Sequence, residues 1–150
     1  MPTLYLDDLQ VGPLGEYGSR TITRDEIIAF AREFDPQPFH LDEEAAKRSI
    51  YGGLIASGWQ TVSLSQRLVV DGFLSRAAGL GSPGLDQLRW LKPVRSGDTL
   101  SVRVEILEVR PSRSKPDRGS IRVKYETLNQ DREVVLELTC AIIFARRPEQ

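Results

Sequence analysis

The chain reads as an α+β fold in which an antiparallel sheet wraps a single apolar helix. Three observations predict it. Apolar residues recur at helical spacing in the first half and switch to strict alternation from Gly84 onward. The segment from Trp59 to Leu74 is apolar on most sides and carries few charges, as expected of a helix buried on nearly all faces. The alternating segments are separated by turn signals, which suits a meander of antiparallel neighbours. With no repeat or low-complexity tract in its 150 residues, the sequence is expected to form one domain spanning 1–150.

The elements follow in order, beginning with a first half expected to be loop and helix. In "TRDEIIAFAREF" Thr23 stands three residues before Glu26, a capping-box spacing. Ile27, Ile28, Phe30, Ala31 and Phe34 then continue at helical period. This predicts a helix from Arg24 to Phe34, halted by Pro36. In "HLDEEAAKRS" Asp42 is an N-cap candidate, Glu43 and Glu44 fall in the first turn, and Lys47 and Arg48 in the last, the order that the helix dipole favours. A short second helix is expected there, and the core helix follows. Of the strands, "LDQLRWLKPV" comes first, ending at Pro93, and "LSVRVEI" second, with Leu100, Val102, Val104 and Ile106 inward. "IRVKYET" turns Ile121, Val123 and Tyr125 inward, and "EVVLELTCAIIFARR" does the same with Leu136, Leu138, Cys140, Ile142 and Phe144.

Charge and cysteine content narrow the partners. Twenty basic and 21 acidic side chains nearly cancel, with no long block of either sign. That argues against nucleic acid or a membrane surface recognised by bulk charge and leaves a small molecule. The basic hairpin around Arg110, Arg113, Lys115 and Arg118 is read as a solvated loop and left out of the site. Cys140 is the only cysteine, so no intramolecular disulfide or cysteine zinc site is available, and its apolar setting predicts a buried core thiol. No basic leader precedes an apolar stretch, and no segment has the apolar length of a spanning helix, so a soluble, cytoplasmic protein is expected.

Two stretches carry chemistry. "EFDPQPFH" holds the only histidine, five residues after Asp35, with Pro36 and Pro38 between them. The prolines bar a continuous helix and bias Asp35 and Gln37 toward extended backbone, fixing the path between the two groups. A histidine can take a proton from water at neutral pH while a carboxylate orients the same water, so Asp35 and His40 are the candidate catalytic pair. The competing structural reading is that Asp35 ends its helix by a local hydrogen bond and His40 merely packs. The second stretch, "GGLIASGWQ", puts Ser57 and Gly58 at the start of the core helix, where free backbone N–H groups favour charge developing on an oxygen. An ordinary glycine-rich loop capped by Ser57 would read the same way.

Together, Asp35, Pro36, Gln37, Pro38, Phe39 and His40, followed by "GGLIASGW", resemble the motif of the MaoC-like dehydratases, the hydratase-2 relatives with the hot-dog fold. The order of helices and strands is similar over most of residues 20 to 146. The resemblance implies a homodimer or higher homo-oligomer acting on an acyl thioester of coenzyme A or a carrier protein. It implies reversible hydration of an enoyl thioester, with Asp35 and His40 on one water and the Gly58 N–H on the thioester carbonyl. Gln37 and Ser57 are implied in substrate binding, and no metal or redox cofactor is implied. Two positions depart from the pattern: Gln37 replaces the usual asparagine, and Phe34 the common glycine before the aspartate. Gln37 retains the same hydrogen-bonding groups one methylene farther out, and Phe34 is expected to alter the pocket floor. A hot-dog thioesterase and a non-catalytic acyl-binding or assembly protein remain as alternative classes.

Overall fold

The computed structural model describes residues 3–149. A 3-10 turn at Leu6–Asp8 leads into strand β1 (Gly12–Thr21), helix α1 (Arg24–Phe34), the one-turn helix α2 (Pro38–Leu41), α3 (Glu43–Lys47) and the long helix α4 (Gly58–Gly72). After a second 3-10 turn at Leu74–Arg76 come β2 (Gly79–Gly81), β3 (Leu85–Trp90), β4 (Thr99–Pro111), β5 (Arg118–Leu128) and β6 (Val134–Ala145). One six-stranded sheet results, with β1, β4, β5 and β6 side by side. Short β2 and β3 lie end to end along the free side of β6, opposite Phe144 and opposite Cys140 to Leu136. Every pairing between strands is antiparallel.

This is the expected α+β arrangement, with two corrections to its strands. The first half contains a strand, β1, where loop was expected. Its "GPLGEYGSRT" has three glycines and a proline and does not alternate, but as an edge strand bonded only to β4 it tolerates Pro13 and two register shifts. The meander is also shorter than expected. β3 pairs with β6, because the chain after Pro93 forms an antiparallel bridge, Ile55 to Arg95, and then crosses to place β4 between β1 and β5.

The helices start as their caps dictate. Thr23 Oγ1 accepts from Glu26 N at 3.2 Å and Glu26 Oε1 accepts from Thr23 N at 3.3 Å, while Asp42 Oδ1 accepts from the N–H groups of Glu44 and Ala45. Helix α4 sends Leu64, Leu68 and Val69 into one core with Val102, Val104, Val123 and Leu138 of the sheet. Cys140 is buried in that core, as are the other inward positions of β4, β5 and β6. The expectation that α4 is buried on nearly all faces needs correction: Trp59, Ser63, Gln66 and Arg67 are exposed along one side, because the sheet covers only the other. At its C-terminal end a Cβ on Gly72 would lie 2.2 Å from the Tyr17 ring, so only glycine lets β1 close over the helix there. No helix of the described residues is long and apolar enough to cross a membrane.

Candidate active site

The two prolines divide "EFDPQPFH" between two helices. Asp35 closes α1, its N–H donating to Ala31 O at 2.9 Å, with φ −153° and ψ 65°. Gln37 is extended and Pro38 takes the first position of α2, where its missing N–H costs nothing. His40 therefore lies in a helical turn of its own, just ahead of the Asp42-capped helix α3. The bend brings His40 Nε2 to 3.3 Å from Asp35 Oδ2.

His40 is buried, and a two-point clamp holds it to residue 55. Ile55 N donates to Phe39 O at 3.1 Å, and Ile55 O lies 2.7 Å from His40 Nδ1. A carbonyl oxygen only accepts, so Nδ1 carries a hydrogen, and in the neutral ring the lone pair is on Nε2, the nitrogen beside Asp35. The edge of the His40 ring also meets Phe39, with centroids 4.6 Å apart.

Asp35 receives two donors of its own. Gln37 Nε2 donates to Oδ1 at 2.6 Å and Ser57 Oγ to Oδ2 at 2.7 Å. Burial acts to raise the carboxyl pKa, but the bonds from Gln37 and Ser57, with the field of a charged His40, outweigh it and hold the group below its ordinary 3.8. Asp35 is thus held as the carboxylate. The extra methylene of Gln37 does not cost it this contact.

Ser57 ties the carboxylate to α4. As N-cap it accepts from Trp59 N at 3.3 Å. The Gly58 N–H, one residue earlier, donates to no group among the described residues and belongs to the wall of the cleft. A Cβ at Gly58 would lie 2.5 Å from the Trp90 indole, whose Nε1 donates to Gly58 O at 2.9 Å. Glycine is required here by the close approach of a tryptophan.

These groups share one cleft of about 500 Å³, walled by Phe39, Tyr51, Trp59 and Trp90. All five residues singled out from the sequence, Asp35, Gln37, His40, Ser57 and Gly58, meet there through direct contacts or as lining. The tryptophans and Tyr51 were not singled out. The only sequence signal of Tyr51 and Trp59 is aromatic character beside the glycine-rich stretch, and Trp90 has not even that, coming from a strand 32 residues away from Gly58. Phe34 does not form a pocket floor: it is 64% exposed and leans on Phe30. Arg118 and Arg110 pair with Asp117 and Glu108. Arg118 also pairs with the Ala145 end of β6, far from the Leu136 end that carries Trp90. Among the described residues no group of three or more His, Cys, Asp or Glu side chains is arranged to hold a metal ion.

The chain is similar to known proteins over most of its length. The model of the MaoC-like domain family matches residues 12–128. A 3-hydroxybutyryl-CoA dehydratase of Methylorubrum extorquens is 35% identical over 114 residues, covering 75% of this chain and 69% of its own. The Bacillus subtilis protein YdeM, named as uncharacterized, is 34% identical over 94% of this chain and 99% of its own. The crystal structure of a MaoC-like dehydratase from Rhodospirillum rubrum superposes with a TM-score of 0.89 at 43% identity, covering 97% of this chain and 99% of that one. The sheet wrapped around α4 is the hot-dog fold, and the chain belongs to the MaoC-like domain family.

Proposed function

We propose that this protein is a hydro-lyase that reversibly adds water to an enoyl thioester, an enoyl-CoA or its carrier-protein equivalent, with Asp35 and His40 acting on one water. The observation that carries the proposal is the pairing of His40 Nε2, the lone-pair nitrogen of the neutral ring, with a carboxylate oxygen 3.3 Å away at the wall of an open cleft. Two acceptors facing each other are satisfied by a water that donates one hydrogen to each. Asp35, held ionised by Gln37 and Ser57, is the weaker base, so Nε2 takes the proton as the water oxygen bonds to the β-carbon. The electron pair of the double bond moves toward the thioester oxygen, where the Gly58 N–H and the α4 N-terminus stabilise the enolate. The carboxylate stabilises the imidazolium until the α-carbon takes a proton back. Elimination of water runs the same steps in reverse.

We also propose that the active form is at least a homodimer. Strand β3 bonds to β6 on one side, and Leu85 and Trp90 are 50% and 45% exposed, an apolar edge that a second copy would cover. Sedimentation at micromolar concentration is expected to show a dimer or larger species, and a clean monomer mass would refute this.

Crotonyl-CoA, followed in one tube for loss of the enoyl chromophore and for free thiol, tests the assignment. Loss of the chromophore without thiol release is the expected result. Thiol release would instead make the protein a thioesterase, and tight binding without either change would make it an acyl-binding protein.

A further inference from the structure

We infer that Trp59 and Trp90 form a wall that limits the site to short acyl chains, a specificity role that rests on the hydro-lyase reading above. A second cavity of about 450 Å³ lies farther along the same seam between α4 and β3. The first cavity takes Gly58, Trp59, Thr61 and Trp90 from these two elements, and the second takes Val62, Gln66 and Leu85. The two share no lining residue. The tryptophans stand at the boundary: Trp59 is one helical turn before Val62, and Trp90 is at the end of β3 away from Leu85. Their rings meet nearly edge-on, 5.3 Å between centroids with planes at 80°, so the pair reaches from helix to strand across the seam.

A thioester whose carbonyl lies at the Gly58 N–H would send its acyl chain along this seam. A short chain would end at the indoles; a longer chain needs the space beyond them. That space is suited to methylenes, being lined by Val62, Leu74, Leu138 and Ile142 among others. The wall is also held in place. Trp90 is fixed by its bond to Gly58 O, so its ring cannot swing away without giving up that contact. Trp59 has no side-chain hydrogen bond among the described residues and is 58% exposed, which makes it the part of the wall that can be removed with least damage.

The test uses saturated acyl-CoAs, which bind without reacting. Affinities of the 150-residue chain for butyryl-CoA and octanoyl-CoA are measured by titration calorimetry for the parent, Trp59→Ala and Trp59→Phe. Each methylene newly buried is worth about fourfold in affinity, so Trp59→Ala is expected to raise the octanoyl-to-butyryl affinity ratio at least about tenfold. Trp59→Phe keeps a ring in the seam and should keep the parent ratio. An unchanged ratio in Trp59→Ala, a parent that already prefers octanoyl-CoA, or a change in oligomeric state without a change in ratio would each overturn the wall. Crotonyl-CoA turnover is read separately: a ratio switch on Trp59→Ala together with a parent that hydrates nothing refutes the hydro-lyase reading and leaves the wall standing. If neither acyl-CoA binds, both are refuted.

Discussion

The two cavities along α4 are alike in size, about 500 and 450 Å³, and titratable side chains line both, but Asp35 in the first is treated in the opposite way to Tyr125 and Cys140 in the second. In the second, burial pushes the Tyr125 hydroxyl up, and burial with the nearby Asp86 charge raises Cys140 from 9.0 to about 11. Neither forms a hydrogen bond there among the described residues, and both stay neutral. In the first, Asp35 is also partly buried, yet two donated hydrogen bonds and His40 hold it as the anion. Burial alone silences a titratable group; burial with matched donors makes a stable charge beside a base. Partnering, more than space, marks the site.

That contrast can be broken or sharpened by substitution. The largest effects are expected for His40→Ala and Asp35→Asn, each lowering kcat for crotonyl-CoA hydration by at least about a hundredfold, the scale for losing a general acid or base. Tyr125→Phe and Cys140→Ser, in the other cavity, should leave kcat nearly unchanged. Equal losses in both cavities would show that the assay reports folding, which circular dichroism would check. Next comes Gly58→Ala, whose added Cβ meets the Trp90 ring at 2.5 Å. Displacing the indole or the helix N-terminus is expected to cost about 1–3 kcal/mol of stability and about tenfold or more in kcat/KM.

Ser57→Ala should act more gently and in a direction fixed by charge. It removes one of the bonds that lower the Asp35 pKa, so the carboxyl titrates higher, which an NMR titration of the Asp35 carboxyl carbon reads directly. The ionised Asp35 stabilises the fold above its unfolded pKa, and that stability is lost as pH falls through the lowered folded value. The variant should therefore also unfold at a less acidic pH, beyond a cap loss of about 1 kcal/mol. An Asp35 carboxyl that titrates lower in the variant than in the parent would contradict the account. The smallest effect concerns Cys140: with its thiol at about 11, labelling by a disulfide reagent at pH 8 should be far slower than for free cysteine, and complete only on unfolding.

How much of this was legible in the sequence depended on the range of the forces involved. Helix α1 runs from Arg24 to Phe34 as read, because its cap and its stop are both local: Thr23 with Glu26 at one end, Pro36 at the other. The inward faces of β4, β5 and β6 were legible because period-two alternation records one buried side. β1 was not, since glycine and proline erase alternation, and neither was the pairing of β3 with β6, which depends on where the chain crosses after Pro93. In the site, residues joined by the short proline link or by the helix cap were identifiable. The Ile55 carbonyl that sets the His40 tautomer was hidden, because a backbone oxygen has no residue signature. The tryptophan at Gly58 was hidden too, because it arrives from a distant strand.

A double-mutant cycle on crotonyl-CoA hydration, comparing parent, Asp35→Asn, His40→Ala and the combined variant, all shown to be folded, tests the central claim most directly. Two groups acting on one water form a unit, so the combined variant should be little worse than either single one. Losses that multiply, or a folded His40→Ala enzyme with near-parental hydration, would contradict it: the proline link would then serve the fold and the chemistry would lie elsewhere.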